Sequence, residues 1–268
     1  MKGKYVVEKL NDKKWFIWFK IVIVWLSYMP LGLFITSRDF SLDFYYSVLP
    51  LSDEFRQYWF TENFYNQLVY GVITVGIFIT LIFRYKYKKT DNFQFTRSTA
   101  VIMAACVIVS IVAIVFSYSN NNHPWQAYIG ETIQLFVGVS IFEELIFRGF
   151  ITNELFRLKK DGLKIPVGIL ISAILFGLMH LPEYFFYSEI TFGGAIFRFV
   201  FPAIIGTAYA IILYYKKDIL SLIFIHTASN ICGSIARQPF DIIFFVVMCT
   251  YATLLIPQVR QRLSFLKK

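Results

Sequence analysis

The sequence is poor in charged residues, cysteine and histidine. Only 16% of its 268 residues are charged, and it contains three cysteines and three histidines. The spacing of the cysteines matches no CxxC motif and no metal knuckle. We expect these three residues to be buried thiols that pack as small hydrophobic groups: Cys106, Cys232 and Cys249.

Apolar and aromatic side chains dominate the chain instead. Hydrophobic residues make up 57% and aromatic residues 19%, whereas a soluble domain is about 45–50% apolar. At about 20 residues per span, the length suits about eight transmembrane helices. We therefore predict an all-α polytopic membrane bundle that forms one integral-membrane domain over residues 1–268. The predicted helices cover residues 15–36, 66–84, 98–118, 126–156, 166–187, 192–215, 218–234 and 239–257.

The net charge of +9 is concentrated in alternate predicted loops. Residues 85–97 are rich in lysine and arginine, whereas residues 119–125 contain neither. This alternation predicts an even number of spans with both termini in the cytoplasm. Because loop position accounts for the charge, we expect the lipid bilayer as a partner and no nucleic acid.

Glu143 and Glu144 stand side by side in the fourth predicted helix, followed by Arg148. An acidic residue at a membrane helix centre costs roughly 2.5–3.5 kcal/mol. Glu144 and Arg148 are four residues apart with the acid first, which is the favourable order for an ion pair. A pair that only neutralises itself is one explanation, and a functional site is the other.

Three further polar residues lie at similar depth in other predicted helices. A rise of about 1.5 Å per residue puts Glu143 and His180 about 21 Å from the inner ends of their helices. Asn230 lies about 18 Å and His226 about 12 Å from theirs by the same rise. Each residue alone is explained by a hydrogen bond between helices. Together, a carboxylate, two imidazoles and an amide are the parts of a hydrolytic site.

These residues stand in three motifs that resemble those of the CPBP family of intramembrane peptidases. This is the group of CAAX proteases and bacteriocin-processing proteins, also called the Abi family. The motifs are Glu143-Glu144-Leu-Ile-Phe-Arg148, Phe176-Gly-Leu-Met-His180 and His226-Thr-Ala-Ser-Asn230. They occur in order on separate predicted helices, and the resemblance defines a peptidase core at about 126–234.

The resemblance implies an eight-helix bundle whose site opens to the cytoplasmic leaflet. It implies peptide-bond hydrolysis by a water that Glu143 activates and His180 helps to hold. His226 and Asn230 would stabilise the oxyanion of the tetrahedral intermediate. Glu144 and Arg148 would support the site, with Arg148 holding either a substrate carboxylate or the motif helix.

A zinc cofactor is the alternative to a metal-free site. Glu143, His180 and His226 could supply a zinc site of two histidines and one glutamate. However, the chain has no His-Glu-x-x-His helix, in which the glutamate acts as base beside two ligands. We expect a metal-free site with no cofactor.

Three functions are compatible with these residues. The first is an endopeptidase acting on a membrane-associated peptide or lipidated protein tail, in CAAX-type cleavage, bacteriocin or pheromone processing, or self-immunity. The composition is typical of an AT-rich bacterial genome, so we expect the bacterial plasma membrane. The second is a non-catalytic immunity or scaffold protein. The third, a proton-coupled transporter, is less favoured because the two halves show no matching broken helices.

Overall fold

The computed structural model describes residues 13–28, 44–48, 51–85, 92–121, 123–181, 191–237 and 239–257. Within these ranges every regular element is helical, apart from one isolated bridge between Phe93 and Asp218. The prediction of an all-α fold is therefore confirmed. The main helices are α1 (Lys14–Tyr28), α2 (Asp53–Tyr58), α3 (Glu62–Gly71), α4 (Arg97–Asn120), α5 (Trp125–Ile133), α6 (Ile165–Leu178), α7 (Phe192–Lys216), α8 (Ile219–Asn230) and α9 (Phe240–Leu254).

Three helices continue into wider, π-helical turns. The continuations are Val72–Ile82 after α3, Gln134–Ile141 and Glu144–Thr152 after α5, and Ile231–Ala236 after α8. Residues 125–157 form one helical run, which we call extended α5. The hydroxyls of Ser140 and Thr152 bond the carbonyls five residues earlier, at 2.8 and 2.7 Å, as this wider turn allows. Such turns are frequent at functional sites.

The described helices include several of the length and composition that a membrane requires. Four can cross a bilayer by these criteria: Phe64–Ile82, Arg97–Asn120, Phe192–Lys216 and Ile219–Ala236. The shorter helices α6 and α9 are also apolar. Together they make the chain a multi-pass membrane protein.

The fifth predicted helix ends earlier than expected. We predicted residues 166–187, whereas α6 ends at Leu178 and a turn follows through residues 179–181. Pro182 provides a physical reason, because proline disfavours the helical conformation of the residue before it. Residues 182–187 of this prediction, and 29–36 of the first predicted helix, lie outside the described ranges.

Extended α5 lies at the centre of the packing. Its second half packs with α1, α3 and α6 around a core that includes Ile21, Ile79, Phe147 and Phe150. Helices α4, α7, α8 and α9 form a second core, against which Phe136 and Ile141 of extended α5 also pack. In a bilayer such contacts stabilise by close packing and by polar contacts between helices rather than by excluding water. This arrangement surrounds the middle of extended α5 with other helices.

A buried group of charges joins α1 to the end of extended α5. The Lys20 ammonium lies 2.5 Å from a Glu154 oxygen, and both side chains are buried. The Arg157 guanidinium contacts the other Glu154 oxygen at 2.6 Å. Glu154 is therefore neutralised by two cations, as a buried carboxylate requires.

Gly177 allows α6 and α7 to approach closely beside the turn that carries His180. A Cβ atom at Gly177 would lie 2.6 Å from the Phe199 carbonyl oxygen and 3.0 Å from the Ala203 Cβ. We expect Gly177→Ala to destabilise the protein by about 1–3 kcal/mol, because backbone cannot move aside as a side chain can. Thermal unfolding of the detergent-solubilised protein measures this loss. Gly193→Ala is the control, since its Cβ would meet nothing within 4 Å, and equal unfolding temperatures for the two variants would contradict the prediction.

Candidate active site

The two adjacent glutamates lie at the middle of extended α5 and face different neighbours. Neighbouring residues on a helix point about 100° apart. Glu144 is fully buried, and 8% of the Glu143 surface is exposed. Burial of two carboxylates side by side requires nearby cations or hydrogen-bond donors. The structure provides them from α5 itself and from α8.

His226 of α8 lies between the two carboxylates. Its Nδ1 is 2.8 Å from Glu144 Oε1, a hydrogen-bond distance. Its Nε2 is 3.7 Å from Glu143 Oε2, within ion-pair distance but longer than a hydrogen bond. A carboxylate only accepts, so Nδ1 carries the proton that Glu144 binds. Glu144 thereby fixes the orientation of the ring and directs Nε2 towards Glu143.

Arg148 neutralises Glu144 from the next turn of the helix. Its Nη1 lies 3.3 Å from Glu144 Oε1, and the side chain is 1% exposed. Its guanidinium carbon lies 4.1 Å from the ring centroid of Phe176 and 5.0 Å from that of Tyr209. Aromatic faces attract a cation, and more strongly where water is excluded. Arg148 is thus held by a carboxylate and two rings.

His180 lies in the turn after α6, not within that helix. Its Nδ1 is 2.9 Å from the Phe176 carbonyl oxygen. Because a carbonyl accepts only, Nδ1 is the donor, and Nε2 keeps a lone pair for a further partner. The Phe176 ring is 5.1 Å from the His180 ring and 6.2 Å from the His226 ring. One phenylalanine therefore contacts both histidines and Arg148.

Asn230 follows His226 by one turn of α8 and is half-buried. Within the described ranges no hydrogen bond joins its side chain to Glu143, Glu144 or Arg148. The structure thus brings together Glu143, Glu144, Arg148 and His226, with His180 joined to them through Phe176. Asn230 stands beside this group on the same helix.

Two contacts of the site were not expected from the sequence. Glu144 was assigned to Arg148 alone, whereas it also binds His226. Tyr209 of α7 packs 5.5 Å from the His226 ring and 5.0 Å from Arg148, and no motif includes it. A tyrosine in an apolar helix resembles any other large core residue, so the sequence offered no signal for it.

The side chains of the site do not form a metal site. Across the residues that the structure describes, no group of three or more His, Cys, Asp or Glu side chains has the arrangement needed to hold a metal ion. Glu143 and His226 face each other, but His180 does not complete a zinc site with them.

These features define the class of the protein: a multi-pass helical membrane protein with a buried glutamate–histidine centre. Residues 124–232 match the family described as type II CAAX prenyl endopeptidase Rce1-like. The resemblance to the CAAX-protease family is thereby confirmed over that segment, which contains all three motifs. A similarity to this family indicates a protease. No curated protein and no solved structure matches the chain.

Proposed function

We propose that the protein is an intramembrane endopeptidase that hydrolyses a peptide bond with a water activated by Glu143. One observation carries this proposal. His226 is hydrogen-bonded to Glu144 through Nδ1 while its Nε2 points at Glu143 Oε2, 3.7 Å away. A carboxylate beside an oriented imidazole provides a general base and a donor for the developing oxyanion.

Glu143 takes a proton from the water as it attacks the carbonyl carbon, and later gives that proton to the leaving nitrogen. His226 donates from Nε2 to the oxyanion when it carries protons on both nitrogens. Glu144 stabilises that imidazolium through Nδ1, as a buried carboxylate does for a catalytic histidine. His180 accepts a hydrogen bond from the water at Nε2, and Asn230 supplies an amide donor to the oxyanion. Arg148 pairs with the Glu144 carboxylate and holds it in place.

Length and composition identify four membrane-spanning helices, and the proposed arrangement adds the other four predicted helices. All eight predicted helices cross the bilayer, with both termini in the cytoplasm and the site open to the cytoplasmic leaflet. The alternation of basic and non-basic loops supports this orientation. We place the protein in the bacterial plasma membrane on the composition of the sequence.

The proposed substrate is a membrane-associated peptide or a lipidated protein tail. The site is buried among the helices of a membrane bundle. A peptide or lipid-linked tail within the bilayer can reach such a site more readily than a folded soluble protein can. Bacteriocin or pheromone processing, self-immunity and CAAX-type cleavage each present such a substrate. Cleavage of a lipidated peptide reconstituted with the purified protein tests this proposal, and the absence of cleavage by the intact protein would contradict it.

We expect cleavage to proceed without a metal, because Glu143, His180 and His226 do not meet as a three-ligand set. The purified protein should contain less than one zinc per chain, and chelation should leave the cleavage rate unchanged. Metal analysis of the purified protein, followed by a peptide assay with and without a chelator, measures both. Stoichiometric zinc together with loss of activity on chelation, restored by added zinc, would establish the zinc alternative.

A further inference from the structure

Asn153 bonds the backbone of extended α5 directly after the proposed site. Its side-chain amide donates to the Arg148 carbonyl oxygen at 3.1 Å and to the Gly149 carbonyl oxygen at 2.9 Å. The Tyr85 hydroxyl also donates to Gly149, at 2.9 Å. Backbone groups in a membrane bundle need hydrogen-bond partners, and side chains provide them here, in the π-helical segment Glu144–Thr152. Because carbonyl oxygens only accept, the Asn153 Nδ2 faces them and its Oδ1 is directed to another donor.

Asn92 joins this part of extended α5 to the start of α8. It lies outside the segment that matches the family, and it is 6% exposed. Its Nδ2 donates to Asn153 Oδ1 over 2.6 Å. Its main-chain carbonyl oxygen accepts from the Ile219 N–H over 2.9 Å. One buried residue therefore binds both of the helices that bring Glu144 and His226 together.

Further contacts fix the start of α8 to the same part of the chain. Phe93 forms the isolated bridge with Asp218, the residue that caps α8. The Asp218 carboxylate accepts from the Thr99 hydroxyl at 2.6 Å and from the Ser221 N–H at 3.1 Å. Thr99 and Asp218 are both buried. The first turn of α8 is thus held by residues 92–99, which we call the junction segment.

The contacts at the junction segment and at the site define one antiparallel register of α8 against extended α5. Along α8, His226 follows Ile219 by seven residues, or about 10 Å of helical rise. Along extended α5, Glu144 precedes Asn153 by nine residues, or about 13 Å by the same rise. The junction segment therefore binds the two helices about two turns from the place where His226 meets Glu144. Over so short a length, a shift of α8 at the junction segment also displaces His226.

The geometry of the site depends on this register. His226 Nδ1 lies 2.8 Å from Glu144 Oε1, and its Nε2 lies 3.7 Å from Glu143 Oε2. Both distances change when α8 slides along extended α5 or rotates against it. Misplacement of a catalytic group by about 1 Å can lower a rate by about 100-fold.

We propose that Asn92 is a positioning residue for the site. By joining Asn153 to Ile219, it sets the register of α8 against extended α5 and so holds His226 against Glu144. The effect on the rate rests on the proposed peptidase function, whereas the register itself does not.

The first experiment compares cleavage by the wild type, Asn92→Ala and Asn92→Leu. Both variants remove the donor to Asn153 Oδ1, and Asn92→Leu keeps a side chain of similar volume, so that it does not leave a cavity. We expect both to lower kcat by about 10- to 100-fold with KM within about twofold of wild type, because a misplaced His226 acts on the transition state rather than on the bound peptide. Wild-type kcat in Asn92→Leu would overturn the proposal, since side-chain volume and not the hydrogen bond would then matter.

Asn120→Ala is the matched control for the loss of an asparagine amide. The Asn120 Nδ2 donates to the Phe116 carbonyl oxygen at 2.7 Å, and both residues belong to α4. This bond joins no two helices, so we expect wild-type kcat and KM for the control. A loss of kcat in Asn120→Ala as large as in the Asn92 variants would also overturn the proposal.

The second experiment observes the register without any activity. In detergent-solubilised protein with isotope-labelled histidine, the His226 Nδ1 proton that is bonded to Glu144 gives a downfield resonance. The chain has three histidines, and the loss of this resonance in His226→Ala assigns it. We expect it to shift or broaden in Asn92→Ala and Asn92→Leu and to stay in place in Asn120→Ala. An unchanged resonance in the Asn92 variants would overturn the inference, while a changed resonance together with an inactive wild type would overturn the peptidase function alone.

Discussion

Replacing Glu143 by alanine is expected to abolish measurable peptide cleavage while the protein still inserts and folds. Loss of a general base lowers a rate by about 10²- to 10⁴-fold. The fold should tolerate the change, because the variant removes a buried carboxylate whose Oε2 has no hydrogen-bond partner among the described residues. His226 keeps its hydrogen bond to Glu144, so the rest of the site keeps its shape.

A peptide assay and an unfolding curve on the same preparation measure these two effects. Glu131→Ala is the matched control, because Glu131 lies on the same helical run about three turns before Glu143. We expect Glu131→Ala to cleave at the wild-type rate.

Glu143→Gln separates catalysis from a structural role, since it keeps the shape of the side chain and removes its basicity. Full cleavage by Glu143→Ala would contradict the role of Glu143 as general base. Normal cellular function of Glu143→Gln would favour the non-catalytic immunity or scaffold protein.

Replacing Glu144 by alanine is expected to destabilise the protein more than any other single change in the site. The variant leaves the Arg148 guanidinium, 1% exposed, without a carboxylate. It also leaves His226 Nδ1 without its acceptor at 2.8 Å. Removing one partner of a buried ion pair costs about 3–5 kcal/mol. We expect low accumulation in the membrane and a lower unfolding temperature in detergent.

A compensated variant distinguishes this cause from general damage. Glu144→Gln combined with Arg148→Met removes both charges and keeps an oxygen that accepts from His226. A buried ion pair replaced as a whole is often neutral for stability. The double variant should therefore recover much of the accumulation that Glu144→Ala loses, yet cleave more slowly because the imidazolium lacks its carboxylate. Wild-type stability of Glu144→Ala would contradict the described ion pair.

The helices were predictable because long apolar runs between basic loops are compatible with few structures other than membrane helices. Residues 97–120 and 192–216 agree with their predictions within two residues at each end. The end of α6 was missed, since the segment up to residue 187 remains largely apolar and only Pro182 marks a break. Helix ends of this kind depend on local backbone preference rather than on the apolar pattern.

The site was predictable only as a set of residue types. Burying a polar residue in the membrane costs free energy, so such residues are rare in apolar helices. For this reason Glu143, His180 and His226 could be identified from the sequence. Phe176 was also identified, as part of a motif. Tyr209 was not, because it is an ordinary member of an apolar helix. Which face of α8 meets Glu144 depends on packing between residues 82 positions apart. Spacing within one helix cannot supply that information.

The pairing of Lys20 with Glu154 has a consequence for biogenesis. The lysine leaves the ribosome long before its acidic partner, which is separated from it by the whole of α2, α3 and α4. During that interval α1 carries an unneutralised ammonium, and a lysine at a helix centre costs about 2.5–3.5 kcal/mol on insertion scales. The nascent α1 is expected to keep Lys20 at the lipid headgroups and to settle to its final depth only when extended α5 arrives.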